Sequence, residues 1–199
     1  MRYNVITIER EYASGGNEVG EILAEKLGIP CYGQEILEEA AARLNVSTER
    51  IREVEESITG SMMFSLAAVA NLISGQDVDL MMLEQRLTVV ETEIIRNLTL
   101  NPCVLVGRGA SALLPDKNNI LKIFIYSDFK TRVERAINVY GVEPKQAESV
   151  VNRNDKRRAN YFRATTEKEW KGTDIYHMCL NSGKLGIDQT VDILYKTII

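Results

Sequence analysis

Two glycine turns and a set of arginines carry most of the chemistry this chain can offer. The first turn, Ser14-Gly15-Gly16, follows the apolar, β-branched run Val5, Ile6, Ile8 and precedes Val19, Ile22, Leu23 and Leu27, which repeat at helical spacing. Glycines between a strand and a helix let backbone N–H groups approach an anion at the helix N-terminus, where the helix dipole adds favourable charge. The second turn, Gly107-Arg108-Gly109, follows Val104-Leu105-Val106 and adds a guanidinium. A third group, Arg153, Lys156, Arg157, Arg158 and Arg163, lies in a helical stretch where Arg153 and Arg157 share a face. Backbone donors and fixed cations that can close over a ligand are what phosphate binding and phosphoryl transfer require, since the protein does little covalent chemistry there.

Each feature alone has a plainer reading. Laid on G-x-x-x-x-G-K-[ST] with Gly16 as the last glycine, the first loop puts Glu11 at the first glycine, Asn17 at the lysine and Glu18 at the hydroxyl residue, so one of the four marked positions matches. A turn without a ligand is the alternative for the loop. For the basic run it is a solvated helix with Glu148, Asp155 and Glu167 as counter-charges.

The elements that must position these residues alternate between strand and helix. A helix over about 16–27 is followed by a stop at Gly28, a short strand near Cys31-Tyr32 and a helix from Gln34 to Leu44. Ser47 is placed to cap a helix from Thr48 to Ser57. The stretch from Ser61 to Ser74 predicts a nearly uncharged helix with Met62, Met63, Phe64, Leu66, Val69, Leu72 and Ile73, apolar around too much of its circumference for a lone surface helix. A long helix over about Leu80 to Leu100 ends at Asn101-Pro102, before the second strand-to-glycine turn. Ile120 to Tyr126 is a strong strand, Asp128 can cap the next helix, and 143–171 is charged and helical in tendency. Tyr176 to Leu180 predicts a last strand and Gln189 to Ile198 an amphipathic helix. This alternation implies a parallel sheet covered on both faces, with both glycine turns in the crevice beyond the strand ends.

Composition narrows the function classes. The 199 residues are enough for one domain with a helical insert and a substantial core. Cys31, Cys103 and Cys179 are odd in number, widely spaced and set among apolar residues, which reads as buried reduced thiols. A single histidine, His177, makes neither a metal cluster nor a triad. Apolar runs fall far short of the roughly 20 residues of a membrane helix, and no leader pattern is found, so the expectation is a cytoplasmic protein without a membrane partner. A net charge of −4 argues against general nucleic-acid binding while allowing a local basic patch.

Taken in order, the segments Ile6-Thr-Ile-Glu-Arg-Glu-Tyr-Ala-Ser-Gly-Gly16, Leu27-Gly-Ile-Pro-Cys-Tyr32, Cys103-Val-Leu-Val-Gly-Arg-Gly-Ala110, Asp155-Lys-Arg-Arg-Ala-Asn-Tyr161 and Tyr176-His-Met-Cys-Leu-Asn-Ser-Gly-Lys-Leu-Gly-Ile-Asp188 resemble the cytidylate-kinase-like family. That family is a branch of the nucleoside monophosphate kinases, and the resemblance spans nearly the whole chain. It implies an α/β, three-layer P-loop kinase fold with a parallel central sheet, a helical insert that binds a nucleoside monophosphate (NMP) and a basic helical lid. The core would be 1–32, 101–142 and 173–199, the insert about 33–100 and the lid about 143–172.

ATP with Mg²⁺ is the implied donor, and the implied partners are a nucleotide and a small-molecule substrate. By resemblance, Ser14, Gly15 and Gly16, continuing into Asn17 and Glu18, cradle the donor phosphates, with Glu18 able to reach them through Mg²⁺. Tyr32, Gly107, Arg108 and Asn181 fall at acceptor-binding positions, and Arg153, Arg157 and Arg158 are lid cations. Two positions depart from the family pattern. Asn17 stands where a basic residue is usual and Gly33 where Asp is usual, which makes Arg10 the nearest substitute cation. Three readings follow: an active kinase of CMP, dCMP or a related small substrate, a nucleotide-binding sensor with weak turnover, and a structural or interaction protein with an empty loop that oligomerises through helix 61–74, the apolar helices of 61–100 being the expected homo-oligomer surface.

Overall fold

The computed structural model describes residues 1–59 and 78–199, with side chains described for 1–54 and 83–199. Five strands, β1 (Val5–Arg10), β2 (Cys31–Tyr32), β3 (Cys103–Val106), β4 (Ile120–Tyr126) and β5 (Met178–Asn181), form one sheet in the order β2-β3-β1-β4-β5, with every pairing parallel. β1 is central and almost wholly buried, with Ile6 and Ile8 fully buried toward one layer and Val5, Thr7 and Glu9 buried toward the other. Helices α1 (Gly16–Leu27) and α9 (Ile187–Ile198) cover one face through Val19, Leu23, Val191 and Leu194. The other face carries α2 (Gln34–Leu44), α3 (Thr48–Thr59) and α4 (Val78–Leu98), whose Ile36, Leu37, Ile51, Leu87 and Ile94 pack on Leu105. The short helix α5 (Ala110–Leu113) follows the second glycine turn, α6 (Phe129–Asn138) follows β4, and α7 (Pro144–Thr166) lies against α3 and α6. A further short helix, α8 (Ser182–Leu185), follows β5.

The α/β architecture and the parallel sheet flanked by helices follow the sequence pattern, with local differences that have physical causes. Ser47 caps α3 as predicted, its Oγ accepting from the Arg50 amide at 3.1 Å. Asp128 occupies the N-cap position of α6 without accepting there, its carboxylate pairing with Lys184 at 3.1 Å. β5 begins two residues later than the apolar pattern predicts. The ring Nδ1 of His177 accepts the Lys122 amide at 3.2 Å, and Tyr176 turns into an aromatic cluster with Phe124 and Trp170, so the regular ladder starts at Met178. Cys103 is buried and Cys31 half-buried, but Cys179 is exposed because it alternates away from Met178 and Leu180 on an outer strand. Among the described residues no helix is long and apolar enough to cross a membrane. The helix expected from Ser61 to Ser74, and with it most of the expected oligomer surface, lies outside the described residues.

Candidate active site

β1 delivers Arg10 and then the loop 11–15 to the N-terminus of α1. Within it Ala13 (φ 59°) and Gly15 (φ 79°) adopt left-handed backbone, and α1 begins at Gly16 with no side-chain cap. Uncapped amides at the start of a helix are open to an anion. A Cβ on Gly16 would lie 2.4 Å from Arg10 Cβ, so this glycine lets the arginine side chain cross the loop.

The loop's own side chains hold its shape. Ser14 Oγ donates to the Glu11 carbonyl at 2.9 Å, and Ser182 Oγ donates to the Ser14 carbonyl at 2.5 Å. The buried Glu11 carboxylate pairs with Arg132 at 3.1 Å and with Lys171. From α7, Asp155 accepts the Tyr12 amide at 2.8 Å and pairs with Arg132 at 2.6 Å, docking the basic helix on the loop. A recess of about 80 Å³ remains, lined by Arg10, loop residues 11–13 and 15–17, Tyr140 and Arg158.

Beside it lies a pocket of about 330 Å³ beneath α7, where Arg10, Arg108, Arg157 and Arg158 converge with Glu9, Glu21, Gln34, Glu35 and Tyr161. Arg10 Nε donates to Asn17 Oδ1 at 2.7 Å, and its guanidinium occupies the space a Cβ on Gly107 would take. Arg158 donates to the Arg10 carbonyl at 2.9 Å and stacks over the Tyr12 ring at 5.6 Å. Arg108 has positive φ (60°) at the second turn and pairs at 3.2 Å with Glu91, which is wholly buried and also accepts from Tyr161.

Burial lowers the pKa of Arg10, with Arg108 and Arg157 adding to the fall and Glu9 opposing it. Burial also lowers that of Arg158, helped by Arg10 and Arg157 against Asp155 and Glu9. An arginine keeps its proton near neutral pH, so the crowding is carried as positive charge that an anion would relieve. Burial pushes the Glu9 carboxyl above the usual carboxylate range, opposed by Arg10, the Trp170 indole, Arg158 and the Gly109 amide.

Arg10, Asn17, Arg108, Arg157 and Arg158 are thus brought together at one crevice with the turn Gly107–Gly109. Other residues singled out in the sequence lie elsewhere. Arg153 is on the exposed face of α7 and lines neither cavity. Glu18 pairs with Arg135 of α6, and among the described residues no cluster of three or more His, Cys, Asp or Glu could hold a metal ion. Tyr32 packs against the core cluster of α2 and α4, leaving Cys31 and Gly33 to line the pocket. Asn181 caps α8 by accepting the Lys184 amide at 3.2 Å, at the β5 side of the sheet, across β1 from the pocket wall that β2 and β3 supply.

Glu9, Glu91 and Arg132 did not stand out as site residues in the sequence, and Asp155 stood out only as a counter-charge. Glu9 had a local signal: Thr7 and Glu9 alternate as polar residues with Val5, Ile6 and Ile8 in the first strand.

A family model described as the cytidylate kinase-like family matches residues 5–184. Among solved structures, an uncharacterized protein from Eubacterium ventriosum ATCC 27560 is similar at 27% identity and a TM-score of 0.69, over 98% of this chain and 97% of that one. TT1252 from Thermus thermophilus is 14% identical with a TM-score of 0.55, over 100% of both chains. Shikimate kinase from Acinetobacter baumannii in complex with shikimate is 15% identical with a TM-score of 0.52, over 98% of this chain and 93% of that one. The last two similarities concern the fold. No curated protein matches the chain significantly.

Proposed function

This chain belongs to the cytidylate kinase-like family, and we propose that it transfers the γ-phosphoryl group of ATP to an acceptor carrying an anionic group, a nucleoside monophosphate of the CMP or dCMP type or a related small substrate. The observation that carries this reading is the convergence of Arg10, Arg108, Arg157 and Arg158 on one pocket adjoining the recess of the glycine loop. Phosphoryl transfer needs positioning and fixed positive charge around the migrating group, and converging half-buried guanidinium groups supply both.

In this reading the amides of Ser14, Gly15 and Gly16 hold the donor phosphates, and Mg²⁺ arrives with the nucleotide to neutralise phosphate charge. Arg10, oriented by Asn17, takes the place of the cation that the loop lacks at Asn17. Arg157 and Arg158 lie over the migrating group, and Arg108, aligned by Glu91, holds the acceptor's anion. A second reading, a nucleotide-binding relative with weak turnover, is favoured by the uncharged Asn17 itself.

Mixing ATP·Mg²⁺ with CMP, dCMP, UMP, AMP, shikimate and simple hydroxy acids should release acceptor-dependent ADP, and Arg108→Ala should abolish it. A melting temperature raised by ATP without turnover would favour the second reading. Neither response would overturn both.

A further inference from the structure

Glu9 is the one acidic side chain in the pocket that is almost entirely buried, 4% exposed, and one of its carboxylate oxygens, Oε1, has no hydrogen-bond partner. It stands near the carboxyl end of the central strand, beside Arg10, and lines the arginine pocket but not the loop recess. The charged and titratable groups facing it are Arg10 from β1, Arg158 from α7, and Trp170 and Tyr176 from the segment before β5, with the Gly109 amide from the second turn. Such a group has no proton to take if the acceptor is a phosphate monoester. That acceptor is largely dianionic near neutral pH, has no proton to lose on attack, and would be repelled by a neighbouring carboxylate. An alcohol differs, because its proton must leave as the new O–P bond forms.

Resting on the phosphotransfer reading above, we infer that Glu9 is the base that takes the proton from a hydroxyl of the acceptor, so that the pocket serves a small anionic alcohol, a hydroxy acid or a sugar monophosphate, rather than a nucleoside monophosphate. The acceptor oxygen bonds to the γ-phosphorus, the bond from that phosphorus to the β,γ-bridging oxygen breaks, and ADP leaves with the electron pair. The hydroxyl proton passes to the Glu9 carboxylate and is later released to water. The arginines hold the acceptor's anion and the migrating group, and Glu21, Gln34 and Glu35 on the remaining wall offer acceptors to further hydroxyls.

The test compares the unmodified protein with Glu9→Gln on two acceptor sets, hydroxy acids and sugar monophosphates on one side and CMP, dCMP, UMP and AMP on the other. Gln keeps the size of the side chain, so the packing around Glu9 is preserved in the variant. The expected result is transfer to a member of the first set, with Glu9→Gln lowering kcat by about 10²-fold or more at unchanged KM. In the unmodified protein kcat/KM should fall toward acid as Glu9 is protonated, and the variant should lack that limb, a readout that does not depend on absolute activity.

The two acceptor classes of the first set separate by which one is turned over. Transfer only to nucleoside monophosphates, or Glu9→Gln as fast as the unmodified protein, overturns the inference and leaves the kinase reading standing. Absence of transfer to every acceptor by the unmodified protein overturns the kinase reading itself, and the inference with it.

Discussion

Glu11, Ser14 and Asp155 hold the glycine loop through bonds that close within the protein, whereas Arg10, Arg108, Arg157 and Arg158 crowd like charges onto one pocket. The loop leaves only backbone amides for a ligand, so its side chains act on shape. The pocket carries repulsion that shape alone does not relieve, so its side chains act on charge. Substitutions in the loop should therefore register first as stability, and substitutions in the pocket first as turnover. Arg108 is the point where this division breaks down, because it pairs with Glu91, which is 0% exposed, and also lines the pocket.

The largest effect is expected there. Arg108→Ala leaves the Glu91 carboxylate buried without its guanidinium and should cost ~3–5 kcal/mol in urea unfolding, along with loss of turnover. If stability is unchanged, Glu91 does not depend on Arg108. Next comes Arg10→Ala, which removes the substitute cation and should lower kcat/KM by ~10²–10³. An equal loss of folding stability instead would move Arg10 from the charge side of the comparison to the shape side.

The pH dependence of folding sharpens the pocket side further. Burial raises the Glu9 pKa above the ordinary 4.5, so between the two values the folded protein binds more protons than the unfolded chain. Stability should therefore fall as pH rises from about 4.5 through the folded value, and the melting temperature of Glu9→Gln should show a flatter profile over that window. On the loop side, Ser14→Ala removes the bonds to the Glu11 and Ile125 carbonyls and should cost about 1 kcal/mol in the same unfolding measurement. The smallest change is expected for Arg163→Ala. Its pair with Glu169 is 60% and 71% exposed, and a shift beyond about 1 kcal/mol would contradict a surface role.

The fold was legible because the strands are short apolar runs and the helices keep apolar faces at 3.6-residue spacing. The bounds of α1, α2 and β4 coincide with those patterns. Less legible was what a side chain does once long-range partners arrive. Asp155 reads as a counter-charge within its own basic helix, yet it binds the Tyr12 amide 143 positions away and docks that helix on the loop. Glu91 reads as one more polar position in a long amphipathic helix, and only the packing of α4 beside the second glycine turn makes it the partner of Arg108. Arg153 and Arg157 share a helical face by spacing alone, but only Arg157 lines the pocket while Arg153 is exposed. Local periodicity carries the elements, while the site depends on pairings between elements that no single stretch of sequence contains.

The central claim is that the arginine pocket and the glycine loop work together to move a phosphoryl group. Following the phosphorus of ATP·Mg²⁺ by ³¹P NMR in the presence of each acceptor tests it most directly. The γ-phosphate signal should be lost with equal gain of ADP and of a new phosphorylated acceptor. Spectra of intact ATP across every acceptor would contradict it, as would free phosphate released at a rate independent of the acceptor.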